Sequence, residues 1–173
     1  LGFGLASAAG VSSSFIHIAN HALIKGGLFM AVGSFVAALG SRANMNSFVG
    51  IGRRMPITAA AFMVCGLSLA GLPLTAGFIS KLYLIRAILS ADAYLIAALV
   101  LLSSALSLIY LWKIVEVMWM QPAPAKSPQL VENPAIYLPL WIVALSNIWF
   151  GVDASWLVSA SRAAAAALIG GGL

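Results

Sequence analysis

Apolar residues dominate whole helix lengths along this chain, and the polar positions fall mostly between the runs, with a few isolated ones inside them and no alternation. Phe15 to Leu39 and Ala91 to Met120 are the clearest cases. Each reaches the roughly 20 residues that an α-helix needs to cross a bilayer core of about 30 Å. The strands of a closed barrel would show strict apolar–polar alternation, which neither run has. The pattern predicts an all-α, polytopic transmembrane helical bundle.

Punctuation between the runs predicts the remaining elements. Leu1 to Ala9 reads as the tail of a truncated helix, and Gly10 to Ser14 as a turn whose serines cap the first complete span, Phe15 to Leu39, which Gly40 ends. Ser41 to Met55 reads as a loop, and Pro56 suits the first turn of a new helix, where its missing N–H costs nothing. The next stretch, Pro56 to Ser90, has about 35 residues and would measure roughly 52 Å as one straight helix, too long for a single crossing. Gly71, Pro73 and Gly77 interrupt it. It therefore reads as a discontinuous helix with halves Ile57 to Ala70 and Thr75 to Leu89. Ala91 to Met120 is one span, with Lys113 and Glu116 spaced to pair on one face. Pro122, Pro124, Pro128 and Pro134 mark residues 121–134 as an extra-membrane linker. Ala135 to Phe150 is a last, shorter span flanked by Tyr137, Trp141 and Trp149, which suit the interfacial belt, and Asp153 to Ile169 is a helix of marginal hydrophobicity. The chain so divides into a membrane domain, residues 1–120, the linker, and a last span with its tail, residues 135–173.

Composition removes the alternatives to a membrane protein. The chain is 62% hydrophobic and 8% charged, where a soluble domain carries about a quarter charged residues. The formal net charge of +5 reads as topology, not as affinity for nucleic acid. Arg42, Arg53 and Arg54 follow the first long helix and Lys113 and Lys126 lie near the end of a later one, with Asp92 between. That alternation puts the first and last groups on the cytoplasmic side of a cell inner (plasma) membrane and Asp92 outside. The single cysteine, Cys65, forms no internal disulfide and belongs to no CxxC spacing. An opening at Leu1, without Met and already inside an apolar stretch, gives the expectation of an internal or C-terminal fragment.

Against this apolar background the ionisable residues carry the chemistry. His17, His21 and Lys25 follow at four-residue steps, so each is rotated about 40° from the last, and the three form a stripe over about 12 Å of helix. A central Lys costs about 2.5 to 3.5 kcal/mol to place at membrane depth, so such groups normally face a protein interior or a water-filled cavity. Histidine titrates near neutral pH, and lysine in a low dielectric loses part of its preference for charge, so the ladder is suited to passing protons. A pair of packing histidines with a snorkelling Lys25 is the bland alternative. A metal site is a sharper one, but no third ligand accompanies the histidines. Lys81 lies just after the helix break, where freed carbonyls and water could solvate an ammonium, although alone it reads as an interfacial anchor, as does Arg86. We expect no cofactor and no metal.

The string His17-Ile-Ala-Asn-His21-Ala-Leu-Ile-Lys25, with Gly26-Gly27-Leu28-Phe29 after it, resembles a signature of antiporter-like proton-conducting membrane subunits. These occur in Mrp-type multisubunit Na⁺/H⁺ antiporters, respiratory complex I and related membrane hydrogenases. Gly66 to Lys81, read as GxPxxxGFxSK from Gly71, resembles the second signature of the same family, its broken helix. The resemblance covers about Ser13 to Trp119 and implies the second of two inverted five-helix repeats. It implies that Lys25 is an axis lysine of a half-channel, His17 and His21 bridging histidines, and Lys81 the broken-helix residue toward an exit. It also implies other membrane subunits as partners, with protons as cargo and Na⁺ as a further candidate. Within the family, the wording from Phe78 to Leu84 and the short chain after Met120 are most similar to the D-type subunits of Mrp antiporters. Complex I subunits, especially the N-type, which serve a redox-driven NADH-quinone oxidoreductase, or their counterparts in related membrane hydrogenases, are the alternative. A non-transporting scaffold subunit is the reading from a different class.

Overall fold

The computed structural model describes residues 1–40, 45–123 and 130–170. Arg42 and Asn44, and Pro124, Lys126 and Pro128 of the linker, lie outside the described residues. A short 3₁₀ turn, Phe3–Leu5, precedes α1, Ala8–Leu39. Ser7 is the N-cap, its hydroxyl oxygen accepting from the Gly10 amide at 3.1 Å. The helix therefore begins before Gly10, and Gly10 to Ser14 are helical, in place of the turn that their sequence suggests. The hydroxyls of Ser13 and Ser14 donate back to the Gly10 carbonyl at 2.8 and 2.9 Å. A serine satisfied in this way sits in an apolar helix without needing a cap position.

The segment read as a loop contains a 3₁₀ turn, Met45–Phe48, and one turn of helix, α2, Ile51–Arg54. The discontinuous helix follows as α3, Pro56–Ala70, and α4, Ala76–Leu89. α5, Tyr94–Val115, loosens into a π turn over Glu116–Met120. Glu116 keeps its α-helical bond to the Trp112 carbonyl, yet among the described residues it forms no ion pair with Lys113. α6, Pro134–Val152, and α7, Ser155–Gly170, complete the bundle. α1, α6 and the span from Tyr94 through Met120 are each long and apolar enough to cross a membrane. At about 22 and 21 Å, α3 and α4 are each short of a crossing and achieve it only as a pair.

α1 is the central element, packed against α3, α4, α6 and α7. One end of the core joins Phe35, Met55, Phe62 and Leu140, and the other end joins Ile16, Leu157 and Val158. α6 runs beside α3 and ends at the break, where Gly151 lies against the backbone of Leu74 and Thr75. The chain then turns at Asp153, whose carboxylate accepts from the Ser155 amide at 3.0 Å, and continues as α7. The pair α6 and α7 so accompanies the broken pair α3 and α4. α5 lies against α3 and α4 and leaves Leu95, Leu99, Leu102 and Leu106 exposed, as a lipid-facing helix should.

The linker is tied down at its end. The Glu132 carboxylate accepts from the Ile57 and Thr58 amides at 3.2 and 2.7 Å, capping α3 from outside the helix. The Trp141 indole N–H donates to the Ile57 carbonyl at 3.2 Å, holding the start of α6 beside the same helix end.

Candidate functional site

Breaking a helix inside a membrane leaves its last four carbonyls without partners. At the end of α3 these belong to Leu67, Ser68, Leu69 and Ala70. Gly71 turns into the left-handed region, with φ of +87°, and its amide donates to the Leu67 and Ser68 carbonyls at 3.0 Å each. The Leu72 amide adds a bond to Leu67 at 3.1 Å. A continuing helix would offer Leu69 the N–H of residue 73, but that residue is Pro73. The Lys81 ammonium takes the two remaining carbonyls, Leu69 at 2.9 Å and Ala70 at 2.8 Å. The negative end of the α3 dipole thus faces a cation. Gly71 is required twice over, since a Cβ there would also lie 2.8 Å from Cδ of Lys81.

Across the break, α4 starts so close to α3 that a Cβ on Gly77 would overlap the Ser68 carbonyl oxygen. The Gly77 amide donates to Oγ of Ser68 at 3.1 Å, and that hydroxyl donates to Oδ1 of Asn147 at 3.0 Å. Asn147 is fixed in turn by donating to the Val143 carbonyl at 2.9 Å. From the other side Asn20 of α1 donates to the Ala76 carbonyl at 2.8 Å. Three helices therefore hold the break by side-chain hydrogen bonds in a buried setting, where an unmade bond is expensive.

The residues expected to form the ladder are arranged around Asn20. His17 and His21 are half-buried, with ring centroids 5.2 Å apart and an interplanar angle of 31°. Nδ1 of His17 is buried and has no hydrogen-bond partner among the described residues. Lys81 is near enough to both imidazoles for their charges to interact, and Lys25 is near enough to His21. Lys25 itself is exposed. The cause is geometric: each four-residue step advances about 40° around the helix, so two steps carry the ladder out of the buried stripe centred on Asn20. The structure brings His17, His21 and Lys81 to the break and places Lys25 at the edge of this cluster.

Two members of the network, Ser68 and Asn147, escape a reading for titratable groups because neither ionises. Asn147 does carry a signal, as an amide in an otherwise apolar span, and it is fully buried. Its partner lies 79 positions away, beyond the reach of any local pattern in the chain.

The family model described as NADH:quinone oxidoreductase/Mrp antiporter, TM, matches residues 1–107. The N-type subunit of the NADH-quinone oxidoreductase of Desulforudis audaxviator is 36% identical over 124 residues, which is 72% of this chain and 25% of the relative. The D-type subunit of the Na(+)/H(+) antiporter of Bacillus subtilis is 28% identical over 158 residues, 90% of this chain and 32% of the relative. A chain in the structure of the Mrp complex from Dietzia sp. DQ12-45-1b superposes with a TM-score of 0.88 over 97% of this chain and 39% of its own length. At 24% identity that likeness is one of fold. The chain thus spans between 25% and 39% of these three proteins.

Proposed function

Since the chain belongs to the NADH:quinone oxidoreductase/Mrp antiporter transmembrane family, we propose that it forms part of a multi-pass membrane subunit that translocates protons, with Lys81, His17, His21 and Lys25 as the relay. The observation that carries this reading is the clamp on Lys81. An ammonium has three N–H groups, and two of them are engaged by the Leu69 and Ala70 carbonyls. The third is the proton free to leave. After it leaves, the neutral amine still has two N–H donors for the same two carbonyls, and its lone pair occupies the vacated direction. The residue can therefore gain and lose a proton while the backbone at the break stays satisfied. The neighbouring His17 and His21 supply imidazoles, the side chains whose ordinary pKa lies nearest neutral, and Lys25 extends the path along α1.

The subunit would act with other membrane subunits, in a cell inner (plasma) membrane, and carry protons, with any exchange for Na⁺ a property of the whole assembly. Of the two assemblies suggested by the resemblance, the identity of 36% with an N-type subunit, against 28% with a D-type one, favours the redox-driven assembly. No covalent step falls to these residues in either case.

Lys81→Arg in the assembled complex tests the relay. Arginine keeps donors for both carbonyls and cannot be deprotonated at physiological pH. Proton flux into vesicles, followed with a pH-sensitive dye, is expected to fall at least tenfold per assembled complex while assembly stays normal. Unchanged flux in Lys81→Arg would remove Lys81 from the route, and a loss confined to assembly would favour a scaffold.

A further inference from the structure

Away from the relay, the first turns of α1, the last turns of α4 and the middle of α7 enclose an open cavity of about 380 Å³. Two arginines from distant parts of the chain, Arg86 and Arg162, line it, together with Ser12, Tyr83 and Ser90; alanines supply most of the remaining wall. Among the described residues neither guanidinium has a carboxylate partner. Asp92, the acid nearest in sequence to Arg86, accepts from the Tyr94 hydroxyl at 3.0 Å and is not part of the wall. Ala8 and Ala9 of the first turn of α1, the positive end of that helix, also line the cavity. Ser12 is only 6% exposed, and its hydroxyl has no hydrogen-bond partner among the described residues. A hydroxyl without a partner in the wall of a doubly cationic cavity can turn to a polar group there, just as Ser13 and Ser14 turn to a carbonyl of their own helix.

We infer that this cavity binds a phosphate-bearing anion, with Arg86 and Arg162 as its cationic contacts and Ser12 and Tyr83 as hydroxyl contacts. Planar guanidinium forks suit phosphate oxygens, and two of them approaching from different helices neutralise a phosphodiester without competing for one oxygen. Depth favours a phospholipid headgroup as the source. Arg86 lies ten residues beyond Ala76 at the break, about 15 Å along the helix. That is half of the roughly 30 Å hydrocarbon core, so a break at mid-bilayer puts the arginine at the headgroup boundary. One arginine at a helix end is an ordinary interfacial anchor. A second one from α7, a shared cavity and an unpartnered serine make a site.

The test uses the chain in its native membrane assembly, delipidated and then titrated with phosphatidylglycerol, with bound lipids counted by native mass spectrometry. Arg86→Gln with Arg162→Gln is expected to weaken the saturable site at least tenfold, and Arg53→Gln, at the opposite end of the bundle, to leave it unchanged. Ser12→Ala guards against a folding failure in the double variant, and a loss of about two- to fivefold at normal assembly is expected. Inorganic phosphate separates the sources. Failure to displace the lipid assigns the site to a headgroup, and displacement that depends on both arginines assigns it to free phosphate; either outcome supports the site. Phosphatidylglycerol and phosphate binding that are both unchanged in the double variant and in Ser12→Ala would overturn it.

Discussion

Lys81→Met removes the donor that serves the carbonyls of Leu69 and Ala70. Two part-buried acceptors left unpaired at membrane depth cost about 1–3 kcal/mol each. The same substitution also removes an ammonium from the membrane, which returns about 2.5–3.5 kcal/mol on insertion scales. These opposing amounts are of similar size, so the single variant does not decide whether the clamp matters. A double-mutant cycle with Pro73→Ala does, because the cost of burying the ammonium is common to both backgrounds and cancels. An alanine at this position has the N–H that Pro73 lacks and offers the Leu69 carbonyl a substitute donor. Lys81→Met should therefore loosen the break less in the Pro73→Ala background, with a coupling of about 1–3 kcal/mol, one carbonyl's worth. The readout is hydrogen exchange by mass spectrometry in the peptide covering residues 67–79, which contains the protected amides of Gly71 and Leu72. Coupling of that size appears as a roughly five- to 150-fold difference in the effect of Lys81→Met on opening. Additive behaviour, within about 0.5 kcal/mol, would show that Leu69 does not depend on Lys81 and would refute the clamp.

Three further substitutions test how the break is held. Gly77→Ala places a methyl against the Ser68 carbonyl and should destabilise by about 2 kcal/mol or more, read as a lowered thermal midpoint of the assembled protein. Asn147→Leu strips the acceptor from the Ser68 hydroxyl and should cost about 1–3 kcal/mol, with exchange rising at Gly77, which bonds to that hydroxyl; unchanged exchange there would mean the three-helix network is not needed. Glu132→Ala removes the external cap of α3 and should cost about 1 kcal/mol, with faster exchange confined to the amides of Ile57 and Thr58.

Much of the bundle is legible in the sequence because membrane physics leaves few choices. Long apolar runs must be helices, and a run too long for one crossing, with a Pro between glycines, must break; the observed halves Pro56–Ala70 and Ala76–Leu89 differ from expectation by a residue each at their starts. The start of α1 is harder to read because serine has two uses. At Ser7 it caps, whereas at Ser13 and Ser14 it bonds back to a carbonyl of its own helix, and local sequence does not distinguish these. For the site, Lys81 and the break motif are readable, since both follow from local chain chemistry. The identity of the carbonyls that Lys81 meets narrows only once Pro73 is placed against a helix register. The partners supplied by α6 are not readable, because Asn147 and Ser68 meet only through tertiary packing.

The exposure of Lys25 follows from the same arithmetic that identifies the ladder. A spacing of four in a helix of 3.6 residues per turn keeps neighbours adjacent while rotating them steadily to one side. His17 and His21 therefore remain at the break, near Lys81, while Lys25 is turned toward the surface that also carries Ile18, Phe29, Val32 and Val36. A lysine in that position facing lipid alone would incur much of the cost that Lys81 avoids through its carbonyls. In the proposed relay the two lysines thus have different supports: Lys81 is held by its own chain and can change charge without rearrangement, whereas Lys25 depends on protein or water meeting that face of α1. Substitutions at Lys81 should accordingly register in the exchange of the break itself. Lys25→Ala should leave that exchange unchanged and register only in proton flux.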